Sequence, residues 1–188
     1  MTTLKLCGID EAGRGPLAGP LCVAGVVFKS NITLLKEFSA INDSKKVSEK
    51  TREQLFEIIK ENSHHHIVLT SNQDIDRLGI AVCIKNSIIE IMEHLKGYHY
   101  LMDGNTSFGI ENLGHLIKAD ATIKEVAAAS ILAKVTRDRC MHTVAETYKE
   151  YFFEKHKGYG TKLHLEMIKK YGKSELHRKT FLIKGIDR

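Results

Sequence analysis

Asp10 and Glu11 stand side by side at the end of the first stretch that reads as a strand. Asp103 ends a later one, and Asp120 ends another just before a helix. Side chains alternate across a strand, so Asp10 and Glu11 reach one edge together only if the chain turns there; Gly8 and Gly13 on either side make a turn feasible. Gathered at one edge of a sheet, four carboxylates cannot all stay ionised without compensation. Divalent cations supply it, and hard oxygen ligands suit Mg²⁺ or Mn²⁺. Two such ions about 4 Å apart can activate water and stabilise the leaving oxygen in phosphodiester hydrolysis. Any one of these acids alone would be an ordinary surface or capping group, and Asp103-Gly104-Asn105 alone an ordinary turn.

The stretch Gly13-Arg14-Gly15-Pro16-Leu17-Ala18 formally fits G-x-G-x-x-A after a strand, the dinucleotide-binding pattern. That pattern needs a helix to begin at the loop. Here Pro16 and Pro20 bracket it, a valine-rich strand follows, and Asp10 and Glu11 would repel a pyrophosphate. A nucleotide-dependent oxidoreductase is therefore disfavoured. What remains is a loop whose glycines let backbone N–H groups approach a substrate, with Arg14 available to a phosphate. Lys45 and Lys46 in Asp43-Ser44-Lys45-Lys46 offer two further point charges to phosphates. Tyr159, between Gly158 and Gly160, has a ring accessible for stacking on a sugar or base; read alone, it would be a turn tyrosine packed on the core.

These residues need a frame. Strands are expected at Leu4 to Asp10, Leu21 to Phe28, Ile67 to Thr70, His99 to Asp103 and His115 to Ala119. Helices are expected from a Ser48 cap to about Asn62, over Ile75 to Leu95, from Glu125 to about Tyr148, and from Thr161 to Tyr171 with Gly172 as a left-handed stop. In the second helix Ala81, Ile84, Ile88, Ile91, Met92 and Leu95 recur at three- and four-residue steps. The run Ala127-Ala128-Ala129-Ser130 would let the third approach a sheet closely. Early strands on short turns, then alternating helix and strand, indicate an α/β protein with a mixed sheet covered by helices.

The chain of 188 residues reads as a single domain with a basic helical C-terminal part from about residue 150. Of its net charge of +5, a local +7 falls between Lys155 and Arg188, which suggests a polyanionic partner. The cysteines Cys7, Cys22, Cys83 and Cys140 form no CxxC pair and are read as buried, reduced thiols of a cytoplasmic protein. MTTLKLCGID lacks the make-up of a secretory signal, and no apolar run is long enough to cross a bilayer. His64, His65 and His66 are read as a loop before a strand, with metal binding there disfavoured.

In this order, GIDEAGRGPLAGP (8–20), NDSKKVSEKTRE (42–53), LMDGN (101–105), KADATIKEVAAASILAKVTRDRCM (118–141) and HKGYGT (156–161) resemble type 2 ribonuclease H, the bacterial ribonuclease HII family. The resemblance implies a ribonuclease H-like five-stranded sheet with a helical C-terminal extension. It places the four metal-binding carboxylates on Asp10, Glu11, Asp103 and Asp120, the loop that senses the 2′-hydroxyl at an RNA–DNA junction on Gly13, Arg14 and Gly15, and the junction-sensing tyrosine on Tyr159. Ser44, Lys45, Lys46, Ser130 and Lys134 match positions near the substrate backbone. The related type 3 enzymes usually carry an N-terminal substrate-binding domain and a lysine in the loop; here the motif begins at Gly8 and the residue is Arg14. Met102 stands where a valine is common and Ala119 where a glycine is common, and neither departure removes a ligand. The implied activity is endonucleolytic cleavage of the RNA strand of RNA–DNA hybrids and incision 5′ of single ribonucleotides in duplex DNA, with Mn²⁺ or Mg²⁺, giving 3′-hydroxyl and 5′-phosphate ends. The ending FLIKGIDR shows no sliding-clamp peptide, and a monomer is expected. A non-catalytic nucleic-acid-binding module is the competing class, but it would have no use for four converging acids.

Overall fold

The computed structural model describes residues 5–30, 36–42, 44 and 47–187. Five strands form one mixed sheet: β1 (Leu6–Ala12), β2 (Leu21–Phe28), β3 (Ser63–Thr70), β4 (His99–Asp103) and β5 (Leu113–Leu116), in the spatial order β3-β2-β1-β4-β5. β1, β2 and β3 are an antiparallel meander, whereas β4 pairs parallel to β1 and β5 parallel to β4.

β2 is buried along its whole length because both faces of the sheet are covered. Cys22, Ala24 and Val26 face α1 (Glu49–Glu61) and α4 (Lys124–Thr147). Leu21, Val23 and Val27 face α2 (Asn72–Leu78) and α3 (Ile80–His94). The small residues Ala127, Ala128 and Ala129 bring α4 hard onto β1: a Cβ on Gly8 would lie 2.3 Å from backbone atoms of Glu125 and Val126. A third apolar cluster, with Met141, Tyr151, Phe153 and Ile168, joins the end of α4 to α5 (Phe153–His156) and α6 (Lys162–Tyr171).

Ser48 caps α1 as expected, accepting a hydrogen bond from the backbone N–H of Thr51. α6 stops at Gly172, which has φ 80°. The helix expected over Ile75 to Leu95 is instead two, broken at Gly79 with φ 84°; Ser71 caps the first. The strand expected from Ile67 begins at Ser63, so His64, His65 and His66 lie in β3, held by eight-residue pairing with β2. The fifth strand lies earlier than His115 to Ala119: pairing with β4 ends at Leu116, and Lys118 adopts a left-handed conformation that starts a 3₁₀ turn over Ala119–Ala121. All four cysteines are free thiols; Cys140 is half-buried rather than buried. Among the described residues no helix is long and apolar enough to cross a membrane.

Candidate active site

Because β1 and β4 run parallel, their C-terminal ends meet at one edge of the sheet and deliver Asp10 and Asp103 side by side. The 3₁₀ turn brings Asp120 to the same place, tied down by a hydrogen bond of 2.8 Å from the Ala119 backbone N–H to Asp103 Oδ1. Carboxylate oxygens of Asp10, Asp103 and Asp120 all lie within 4.8 Å of one another. Glu11 does not join this trio. β1 continues straight through Ala12 instead of turning, so alternation starts the Glu11 side chain from the opposite face. Glu11 nonetheless lines the same cleft, 3.8 Å from the Arg14 guanidinium.

Burial, then the neighbouring charges of Glu11 and Asp103, push the Asp10 carboxyl well above the usual carboxylate range; hydrogen bonds from the Ser130 hydroxyl and the Glu11 N–H oppose the rise. A carboxylate held at such cost, among oxygens of two others, is the donor set that a hard divalent cation satisfies. Asp10, Asp103 and Asp120 could hold one directly, with Glu11 at the margin.

The cleft has a volume of about 480 Å³ and is lined by Asp10, Glu11, Ala12, Gly13, Arg14, Gly15, Ser44, Asp103, Ser130, Lys134 and Tyr159. It thus gathers nearly every residue singled out in the sequence. Ser130 and Lys134 are one turn apart on α4; the Ser130 hydroxyl is 2.9 Å from that of Ser44, and Lys134 is paired with Asp138 at 2.8 Å. Asp120 stands behind, beside Asn42 and Lys124. Lys45 and Lys46 lie outside the described residues. A Cβ on Gly13, at φ 91°, would strike the Arg137 side chain, whereas one on Gly15 would meet no protein atom within 4 Å, so the backbone there is open to a ligand.

The residues that shape this loop gave no signal in the sequence. Arg178 is fully buried and donates three hydrogen bonds to loop carbonyls: Nε to Gly19 at 3.1 Å, and its terminal nitrogens to Arg14 at 3.0 Å and Gly13 at 2.6 Å. Arg137 donates to the carbonyls of Pro20 and Ala18, and its guanidinium lies 5.7 Å from the centre of the Tyr159 ring. Both read as members of a basic helix or tail, and only their burial separates them from solvated cations.

Tyr159 is 43 % exposed, on a backbone fixed by buried histidines. Backbone carbonyls only accept, so the tautomers follow from the partners. His164 donates from Nδ1 to the Tyr159 carbonyl at 2.9 Å and accepts at Nε2 from His177 Nε2–H at 3.0 Å. His177 in turn accepts at Nδ1 from the Ser174 N–H. His156 accepts from the Gly158 N–H at 3.2 Å and donates to the Tyr151 carbonyl. Burial depresses all three imidazoles, taking His164 and His177 down to about 4. Gly158, at φ 82°, sits so close to the Ala18 carbonyl that no side chain fits.

Comparison with known proteins identifies the family. Residues 7–184 match the family model described as Ribonuclease HII. A ribonuclease HII of Aliarcobacter butzleri is 56 % identical over 97 % of this chain and 93 % of its own length. One from Sulfurovum sp. is 53 % identical over 98 % and 95 %. The solved ribonuclease HII of Archaeoglobus fulgidus, in a complex with PCNA, superposes with a TM-score of 0.83 at 29 % identity over 96 % of both chains. With a family-model match from residue 7 to residue 184 and relatives more than half identical over nearly the whole chain, the chain belongs to the ribonuclease HII family of metal-dependent hydrolases.

Proposed function

We propose that this chain hydrolyses the RNA strand of RNA–DNA hybrids and also incises duplex DNA on the 5′ side of a single embedded ribonucleotide, leaving 3′-hydroxyl and 5′-phosphate ends. The observation that carries the reading is the shared cleft: Asp10, Glu11 and Asp103 line one cavity with the Gly13-Arg14-Gly15 loop and Tyr159, and Asp120 stands within reach of Asp10 and Asp103 behind it. Phosphodiester chemistry and recognition of a ribose can therefore occur on the same nucleotide. The 2′-hydroxyl is the group by which a protein tells RNA from DNA at a given position.

In this reading Asp10, Asp103 and Asp120, with Glu11, hold Mg²⁺ or Mn²⁺. Two such ions when bound would lower the pKa of the attacking water and stabilise the departing 3′ oxygen. The chain's own groups do the rest. Backbone N–H groups of the Gly13-Arg14-Gly15 loop, open to a ligand at Gly15, are offered to the 2′-hydroxyl and its phosphate. Arg14 adds charge at the rim. The Tyr159 ring stacks on the sugar of the junction, its backbone held by His164. Ser44, Ser130 and Lys134 contact the scissile strand, with Lys45 and Lys46 on the phosphates beyond it. The basic region from Lys155 to Arg188 holds the duplex, so affinity should fall steeply with salt.

The test is a labelled duplex with one ribonucleotide beside an all-DNA control, incubated with Mg²⁺ or Mn²⁺, with and without chelator. Incision 5′ of the ribonucleotide only, abolished by chelator, is expected. Binding without cutting, or cutting of the all-DNA duplex at an equal rate, would overturn the proposal. In Tyr159→Ala, discrimination between the two duplexes should fall at least tenfold.

A further inference from the structure

A second cluster of ligating groups lies away from the cleft, on the outer strand of the meander. His66 in β3 stands opposite Gly25 in β2. Gly25 has no side chain to hold α3 off: a Cβ there would lie 2.3 Å from the Ile91 side chain. α3 therefore seats close against the sheet and brings Glu90 and His94, one turn apart, over His66. His66 Nε2 is 3.0 Å from Glu90 Oε1, and the two imidazoles stack with ring centres 3.8 Å apart. Ligand atoms of all three residues lie within 4.8 Å of one another.

We propose that His66, Glu90 and His94 form a binding site for a divalent transition-metal ion of the Zn²⁺ type, separate from the carboxylate cleft. Two imidazoles and one carboxylate suit Zn²⁺ and its neighbours, whereas Mg²⁺ prefers an all-oxygen shell. A second feature points the same way. His94 Nδ1 lies 2.9 Å from the Glu90 backbone carbonyl, which can only accept. The ring proton is thus committed to Nδ1, and Nε2 of the neutral ring keeps its lone pair for a ligand. Imidazoles that ligate metals are fixed in this way by the hydrogen bond on the far nitrogen. His66 donates its Nε2 proton to Glu90; on binding, the ion takes that position and the proton moves to Nδ1.

Parallel rings do not aim two in-plane lone pairs at one point, so ligation opens the stack. It also sets the donors roughly 3.3 Å apart, as bonds of about 2.0–2.1 Å in a tetrahedral shell require, which parts His66 Nε2 and Glu90 Oε1 slightly from their 3.0 Å contact. All three side chains are partly or well exposed, so the adjustment needs no repacking of the core. Water would complete the shell. The ion would tie β3, an edge strand, to the helix that covers it.

The test is calorimetric titration of the whole protein with Zn²⁺ in millimolar Mg²⁺, on the parent and on His66→Ala, His94→Ala, Glu90→Gln and Asp10→Asn. The parent and Asp10→Asn should share one binding event that both histidine variants lose, or show at least tenfold weaker, and that Glu90→Gln weakens. Circular dichroism melts will show that the surface variants are folded, and their Mg²⁺-dependent cleavage should match the parent. An event unchanged in both folded histidine variants, or one lost in Asp10→Asn, overturns the proposal.

Discussion

Replacing Arg178 with Met keeps the length and most of the apolar volume of the side chain but removes the donors to the Gly13, Arg14 and Gly19 carbonyls. Hydrogen bonds from a charged group contribute about 1.5–3 kcal/mol each, so three are worth roughly 4.5–9 kcal/mol. Burial, and to a smaller extent the charge of Arg137, depress the guanidinium pKa from 12.5 to about 10. Holding it charged therefore costs about 3 kcal/mol at 1.36 kcal/mol per pH unit, which Met recovers. The net loss is about 1.5–6 kcal/mol, and at about 2–4 °C per kcal/mol for a chain of this size a mid-range loss of about 4 kcal/mol should lower the melting temperature by about 8–16 °C. Lysine reaches the carbonyls as a point charge rather than a fork, so Arg178→Lys should fall between. Cleavage of the single-ribonucleotide duplex, measured well below the variant's melting temperature, should lose at least tenfold in kcat/KM because the loop backbone is no longer pinned. A Met variant that melts within about 2 °C of the parent would refute the energetics. One that melts early but cuts at the parental rate would refute the link between clamp and cleft.

Gly8→Ala should be more damaging than its size suggests. The new Cβ meets the backbone of α4 at 2.3 Å rather than a movable side chain, and urea unfolding should register a loss of about 3 kcal/mol or more. Asp10→Asn should abolish cleavage yet raise the melting temperature measured in chelator, because it removes a buried charge from beside Glu11 and Asp103; a lower melting temperature there would contradict the electrostatic account. The raised Asp10 pKa also has a sign: without added metal, its contribution to stability is present at acid pH and is lost as pH rises through the elevated value. His164 and His177 act in the opposite sense. The unfolded chain takes up their protons at about 6.5 and the folded one only at about 4, so stability falls as pH drops across that window. The interval is worth about 3 kcal/mol per ring, and less than twice that for a pair that share a hydrogen bond. Denaturant titrations from pH 7 to pH 4 will measure it, and His177→Phe should flatten the slope.

Much of the frame was legible. The valine-rich β2, the Ser48 cap, the alanine run of α4 and the Gly172 stop are local signals, and each fell where it was expected. The departures come from pairing and backbone geometry at a distance. Gly79 looks like a tolerable interruption of an apolar period, but its positive φ splits the helix. His64, His65 and His66 look like loop residues until β2 supplies Val27, Val26 and Gly25 as their partners. The aspartates were readable because acids at element ends are conspicuous. Glu11 was harder, since its position depends on β1 running straight where a turn was expected. Arg137, Arg178 and the three histidines beneath Tyr159 were not readable, because burial of a polar residue is a property of the packed chain and leaves no periodicity.

The parallel pairing of β1 with β4 has a further consequence, for the nascent chain. The antiparallel meander needs only the first seventy residues or so, and it carries just Asp10 and Glu11. Asp103 arrives more than ninety residues after Asp10, and Asp120 later still. A polypeptide still emerging from the ribosome thus holds three of its five strands before it owns a complete cutting centre. The trio is complete only when β4 and the turn that carries Asp120 have both joined the sheet.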